Sequence, residues 1–426
     1  MGIKLTKKEK DWILYDVGNS AFTLLVATIL PIYFNYLAEN AGLSSVDYLA
    51  YWGYAASIGT IIVALAGPVL GTMADTRGYK KKLFLSSIII GVAGCCILGI
   101  ARGWLIFLII YIVAKIGFSG SIIFYDSMLS DVTTEDRMDY ISSLGYAWGY
   151  IGSCIPFALS LIVVLKSDTI GIGMEMAMLI SFLIVAAWWL VMSIPLLKGY
   201  EQKYYVEKRE YAVKDSFVRL GNTFQNIKKE KAVFMFLLAF FFYIDGVYTI
   251  IDMATAYGSA LGLNSVGLLL ALMVTQIVAF PCAIIFGKLS DRIKTKDLIN
   301  VCIIAYLGIA IFAIFLKTQP QFWILAVLVG MFQGGIQALS RSYFTKIISE
   351  EKSGEYFGLM DICGKGASFM GTTIVSLVSQ ITGNINIGVG TIAVFFVVGI
   401  ILFRKSVALS EGNIKSGINA ISSEAV

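Results

Sequence analysis

Ionisable and amide side chains set inside long apolar stretches are the residues with chemical capability in this chain. Lys115 lies in the stretch 104–128, 11 residues from both Trp104 and Asp126. In a helix that is about 16 Å from either end, too far for the lysine stem to reach bulk water. Asp245 lies 13 residues into the stretch 232–257, within Tyr243-Ile-Asp245-Gly246-Val-Tyr-Thr249. Asp16, Asn19 and Ser20 stand at i, i+3 and i+4 and share one helical face. Asp361 and Lys365 form an acid–base pair at i, i+4, and Gln333 and Gln337 repeat that spacing with amides. A charge inside a bilayer costs at least ~2.5–3.5 kcal/mol on insertion scales, so each one needs a partner, a wet cavity or a passing ion or solute. Groups of this kind can hold and release a proton or a cation, and can hydrogen-bond a polar solute. Asp16 with Asn19, Asp245 with Thr249, Lys115, Lys365, Gln333 and Gln337 are the candidates. The competing readings are structural. Asp361 and Lys365 can neutralise each other, Asp16 can tether the first turn near Lys10, and Lys115 and Asp245 can form a buried pair, though such pairs often only break even in stability.

Other chemistries lack their residues. His is absent, which removes the commonest metal ligand and general base. The six Cys (95, 96, 154, 282, 302 and 363) sit in apolar stretches without metal spacing and read as small hydrophobes. No Gly-x-Ser-x-Gly turn and no phosphate-binding Gly-x-x-x-x-Gly-Lys-Ser/Thr loop occurs, which disfavours a membrane enzyme and an ATP-driven pump. Gly117-Phe-Ser-Gly-Ser reads as a stretch of small residues that lets helices approach closely. No metal or other cofactor is expected.

The elements that position these groups follow from composition. Of 426 residues 58% are apolar and 14% charged, and the mean hydropathy is +0.80. A soluble domain averages roughly 45–50% apolar and 25% charged. The expected fold class is an all-α polytopic membrane protein. Twelve helices are expected over 12–38, 49–73, 83–101, 104–128, 139–165, 173–196, 232–257, 265–286, 298–316, 320–345, 355–381 and 386–405. If both termini are cytoplasmic, inner segments carry 28 of the 33 Lys and Arg and outer loops only Arg102, Lys166 and Lys317. The net charge of +5 is then a topology signature, and no nucleic-acid partner is expected. On this topology the positions of Lys80, Lys208 and Lys294 should label from inside and those of Asp47 and Asp168 from outside. No Asn-x-Ser/Thr sequon occurs, which fits a bacterial plasma membrane.

The halves repeat. Gly71-Thr-Met-Ala-Asp75 and Gly287-Lys-Leu-Ser-Asp291 close the second and eighth spans at an offset of 216 residues. The stretches after the fourth and tenth spans, at Ser127 and Ser342, correspond at 215. Two pseudo-symmetric six-helix bundles with a site between them near midplane follow, the organisation of alternating access. The expected division is a bundle in 1–196, a cytoplasmic linker in 197–231, a second bundle in 232–405 and a cytoplasmic tail in 406–426. Within the linker Val213, Phe217, Leu220, Phe224 and Ile227 keep a helical period, as in an amphipathic surface helix.

These turns resemble the signature of the major facilitator superfamily, Gly-x-x-x-Asp-Arg/Lys-x-Gly-Arg/Lys-Lys. Gly71, Asp75, Gly78, Lys80 and Lys81 match it, with Thr76 at a basic position and Arg77 one place later. The second copy keeps Gly287, Asp291 and Arg292 and has Lys294 at the glycine position. Several stretches are similar to the branch named for the vacuolar amino-acid effluxer of fungi, over about residues 11 to 404. They are Leu14-Tyr-Asp16-Val-Gly-Asn19-Ser20-Ala-Phe, Ser143-Leu-Gly-Tyr-Ala-Trp-Gly-Tyr150, Asp245-Gly246-Val-Tyr-Thr249, Gln333-Gly-Gly-Ile-Gln337-Ala-Leu-Ser340-Arg341-Ser342 and Phe357-Gly-Leu-Met-Asp-Ile-Cys-Gly-Lys365. The resemblance implies that spans one, four, seven and ten line a central cavity. It also implies a gating group of Gly71, Asp75, Arg77, Arg137, Asp291, Arg292 and Arg341, in which Asp75 and Asp291 sit beside helix termini and pair with bases such as Arg137 or Arg341. The implied function is secondary active transport of a small solute, amino acids being the branch's class, with protons or sodium as coupling ions and a monomer in the bilayer. A uniporter and a drug or metabolite effluxer of the same fold are the alternatives.

Overall fold

Lipid offers no hydrogen bonds, so a chain of long apolar runs must satisfy its backbone within helices. The computed structural model describes the backbone of residues 4–43, 45–207, 227 and 230–424 and is nearly all helix. It divides into two units. Unit 1 comprises Met1–Ala212 and Glu351–Gly358, and unit 2 comprises Val213–Glu350 and Leu359–Val426.

Unit 1 carries span one as two helices, Lys7–Ala27 and Ile29–Asn40. The break is at Thr28, three residues before Pro31, whose missing N–H is harmless only in a first turn. Spans two to six are Ser45–Ala74, Lys80–Leu98, Trp104–Ser127, Met138–Leu165 and Met174–Gly199. Unit 2 carries spans seven to ten, Lys231–Ala260, Ser265–Leu289, Thr295–Ile314 and Gln319–Ile347, and span twelve, Ile392–Glu424. Span eleven, Ser353–Thr382, has its first turn in unit 1 and the rest, from Leu359, in unit 2.

Internal packing repeats between the units. Spans one and six pack together in unit 1, as do two and four, and three and four. In unit 2 the matching pairs are seven with twelve, eight with ten, and nine with ten. Spans three and four approach closely because their contact is made of Gly91, Gly94, Ala114 and Gly117. A Cβ on Gly117 would meet the Gly91 backbone, and one on Gly94 would lie 2.8 Å from the Ala114 Cβ. The small-residue stretch at 117 is thus a packing face.

Among the described residues eleven helices are long and apolar enough to cross a membrane. Span eleven carries Asp361, Lys365 and many Gly, Ser and Thr within its apolar stretch. The chain after 405 continues span twelve as helix to Glu424. Val213, Phe217, Leu220 and Phe224 of the expected linker helix lie outside the described residues, as does Lys208, while Ile227 is buried.

Candidate functional site

The turn between spans two and three compresses five residues between two helices. Gly78 makes this possible at φ +77°, a conformation open to glycine without strain. The turn buries Asp75 and Lys80 completely. A labelling probe at position 80 would therefore not be accessible, in contrast to the sequence expectation. A lysine in the first turn of a helix opposes the helix dipole and is further disfavoured by burial, so acidic partners are required. Lys80 Nζ lies 3.8 Å from Asp75 Oδ1 and 3.6 Å from Asp131 Oδ2, in the turn after span four. It donates to the Ser353 hydroxyl at 2.9 Å and the Ser127 carbonyl at 3.3 Å.

Asp75 in turn grips the start of span eleven. The Gly354 N–H donates to Oδ1 at 2.8 Å and the Glu355 N–H to Oδ2 at 2.9 Å. First-turn amides of a helix have no partner within it, and a carboxylate there also gains from the dipole. Gly71 and Gly354 permit the approach, since a Cβ on Gly354 would lie 2.8 Å from Asp75 Oδ1 and one on Gly71 would strike the Gly354 backbone. Burial pushes the Asp75 carboxyl up to about 7. Lys80 and the two amides pull it down, and the Glu355 carboxylate adds to the rise. Glu355 is itself fully buried, and neither of its oxygens has a hydrogen-bond donor among the described residues. The cluster thus sets one lysine between Asp75 and Asp131, with Glu355 as a further buried acid beside Asp75.

The remaining basic residues of the gating group lie elsewhere. Arg137 does not pair with Asp75. Its guanidinium forks onto Glu9 at 2.7 and 2.8 Å, and Glu9 also accepts from Thr133. Glu9 is the nearer carboxylate because the start of span five packs beside the start of span one. Arg77 is exposed, stacked 5.0 Å over Tyr205. Asp291 and Arg292 are exposed, so the second signature turn does not reproduce the buried cluster, while Arg341 is buried in span ten.

In unit 2 the Asp245 carboxylate is fully buried between spans seven and eleven. Oδ1 accepts from the Thr249 hydroxyl at 3.1 Å and the Gly371 N–H at 3.0 Å. A Cβ on Gly371 would overlap both Asp245 Oδ1 and Thr249 Oγ1. Asp245 Oδ2 is buried without a hydrogen-bond partner among the described residues. Gln333 is buried with its Oε1 likewise unpaired, and Gln337 is half-buried one turn on. Asp361 is half-buried. The Lys365 side chain lies outside the described residues.

In unit 1 Asp16 is buried and accepts from the Tyr125 hydroxyl at 3.1 Å, and the Tyr125 ring stacks on Trp12. Asn19, one turn on, is buried with its Nδ2 unpaired among the described residues. Gly149 of span five lies close over Asp16 and Ser20. Lys115 is half-buried and donates to the Ala56 carbonyl at 2.8 Å and the Thr60 hydroxyl at 2.9 Å, both on span two. Lys115 lies in unit 1 and Asp245 in unit 2, and each has hydrogen-bond partners within its own unit.

Sequence reasoning missed Lys80 as a site residue, together with Asp131, Ser353, Glu355 and Glu9. Lys80 was visible as a signature position. Asp131 and Ser353 stood in the span four and span ten turns without any pattern linking them.

Residues 6–416 match the family described as vacuole effluxer Atg22 like. The chain belongs to that family. It is 45% identical over 404 residues to the uncharacterized MFS-type transporter YxiO of Bacillus subtilis (strain 168), covering 94% of each chain. It is 24% identical to autophagy-related protein 22 of Eremothecium gossypii, covering 92% of this chain and 89% of the relative. Among solved structures, the human organic anion transporter MFSD10 matches with a TM-score of 0.70 at 12% identity, over 94% of this chain and 100% of the other. The transporter FucP in its outward conformation matches with a TM-score of 0.69 at 14% identity, over 94% and 97%. This Atg22-like chain therefore has the major facilitator fold, twelve transmembrane helices in two six-helix bundles, and by family is a transporter.

Proposed function

We propose that this Atg22-like protein is a secondary active transporter that moves a small polar solute, with neutral amino acids as the first class to test, across a bacterial plasma membrane and couples that movement to protons. The family carries the transport reading, and one observation carries the coupling. Asp245 is a fully buried carboxylate with one oxygen holding two donors and the other holding none among the described residues. A carboxylate so placed is costly when charged and stable when Oδ2 carries a proton. Access that alternates between a wet and a dry surrounding would load and unload that proton. In unit 2 Gln333 Oε1, buried and without a partner among the described residues, is an acceptor suited to an ammonium group, and in unit 1 Asn19 Nδ2, likewise without a partner among the described residues, is a donor suited to a carboxylate. Lys115 is the further anchor for a carboxylate.

The cluster at Asp75 serves as the inner gate in this reading. Its carboxylate holds the first turn of span eleven with two hydrogen bonds that can be released without breaking a helix. The functional division is a bundle in 1–196 and another in 232–405, joined by the linker 197–231, with both termini cytoplasmic and the protein acting as a monomer.

Purified protein in liposomes tests the proposal. With a panel of labelled amino acids, Asp245→Asn is expected to abolish accumulation driven by a pH gradient and to retain counterflow, which needs no net proton movement. Full pH-driven accumulation by Asp245→Asn would sink the coupling assignment. Asp16 and Asn19 then become the locus, with sodium as the ion. Transport insensitive to both gradients would make the protein a uniporter.

A further inference from the structure

The segment 200–207, which follows span six, is bound along the turn between spans two and three. The Val206 N–H donates to the Asp75 carbonyl at 2.8 Å and the Arg77 N–H to the Val206 carbonyl at 3.1 Å, forming a parallel bridge between Thr76 and Val206. Gln202 clasps the same turn from its side chain. Its Oε1 accepts the Gly78 N–H at 3.0 Å, and its Nε2 donates to the Ala74 carbonyl at 3.1 Å.

Asp131 ties this segment to the buried cluster. Its Oδ1 accepts the backbone N–H groups of Lys203 and Tyr204 at 3.0 and 3.1 Å, and its Oδ2 accepts the Tyr200 hydroxyl. The same Oδ2 faces Lys80 Nζ. Lys80 is therefore shared between Asp131, which the segment holds, and Asp75, which holds the Gly354 and Glu355 amides. If the segment leaves, Asp131 loses three donors and remains a buried carboxylate with Lys80 as its neighbour. The electrostatic cost of that state draws Lys80 toward Asp131 and away from Asp75.

We infer that the segment 200–207 is a strap that sets the strength of the span eleven grip, with Asp131 as the positioning residue that divides Lys80 between strap and grip. A docked strap satisfies Asp131 and leaves Lys80 to neutralise Asp75. An undocked strap takes Lys80 from Asp75 and weakens the hold on the Gly354 and Glu355 amides. The strap is the first part of the basic linker 197–231, so whatever engages the rest of the linker acts on the gate through it. This inference rests on the gate reading of Asp75.

Hydrogen exchange at individual amides of the full chain in lipid nanodiscs tests it without knowledge of the solute. Tyr200→Phe combined with Gln202→Ala is expected to speed exchange at Gly354 and Glu355 on the order of fivefold, the loss of about one net hydrogen bond. Asp131→Asn is expected to act in the opposite direction. The amide oxygen still accepts from Lys203 and Tyr204, while the missing charge releases Lys80 to Asp75 and slows exchange at Gly354 and Glu355. A purely structural strap would move all variants the same way. That outcome, or acceleration confined to Lys203, Tyr204 and Val206, overturns the inference. Asp75→Asn is the separate control, because unchanged exchange at Gly354 and Glu355 in that variant would refute the gate reading itself.

Discussion

Lys80 is fully buried, and it is the cation that the ion pairs of the cluster bring to Asp75 and Asp131. Removing one member of a buried charge group leaves the others uncompensated, which costs about 3–5 kcal/mol. Lys80→Ala is expected to lower the thermal midpoint strongly, and Lys80→Ala with Asp131→Asn to recover part of the loss, measured by differential scanning fluorimetry in detergent. Failure of the second substitution to recover anything would mean that Lys80 matters through packing alone. Asp75 adds a pH dependence. Its carboxyl sits at about 7 in the folded chain against an ordinary value of 3.8. Between those values the folded chain keeps a proton that the unfolded chain has lost, so stability from this group is present in acid and is lost as pH rises through about 7. Lys80, Asp131, Glu355 and Tyr200 share the cluster, so the informative quantity is a difference between variants. The midpoint of the parent should rise from pH 8 to pH 6 by more than that of Asp75→Asn. Equal slopes would show that Asp75 does not titrate in this range.

At the scale of elements, close helix approach depends on a few small residues. Spans three and four meet through Gly91, Gly94, Ala114 and Gly117, and a methyl at 117 has only backbone to strike. Gly117→Ala is expected to cost about 1–3 kcal/mol by forcing the two helices apart. Gly308, where a Cβ meets nothing within 4 Å, serves as the control, and Gly308→Ala should leave the midpoint near the parental value. Equal effects at both positions would rule out close packing as the cause. The break at Thr28 belongs to the same scale, since a proline three residues later starts a new helix where a continuous span had been expected.

For the whole molecule the distribution of basic residues sets the expected orientation. Lys82 and Lys294 are exposed beside turns assigned to the inner side, and Arg102 and Lys317 beside turns assigned to the outer side. Single cysteines at these four positions, in a background freed of the six native ones, should react with an impermeant maleimide from inside for the first two and from outside for the last two. Lys82 takes the place of Lys80, which is fully buried. A mixed pattern would overturn the twelve-span topology. The repeat visible in the two signature turns extends to the pairing of helices within each unit, but it does not extend to the turns themselves, since Asp75 is buried and Asp291 exposed.

The sequence by itself determined where the helices run, because an apolar stretch long enough to cross lipid can satisfy its own backbone only locally, and that rule needs no knowledge of neighbours. It also singled out Asp16, Lys115 and Asp245, because a charge in an apolar run stands out by composition. Partners were a different matter. Asp75 lies 280 residues from Glu355, Lys80 lies 273 from Ser353, and Arg137 lies 128 from Glu9. Asp245 finds Gly371 at a separation of 126, through a backbone N–H that no side-chain pattern marks. Such pairings depend on which helix faces pack and how closely glycine lets them approach. Spacing along one helix carries no information about the helix opposite, so only the tertiary structure could decide that Asp75 holds amides, that Arg137 belongs to Glu9 and that Lys80 stands between two acids.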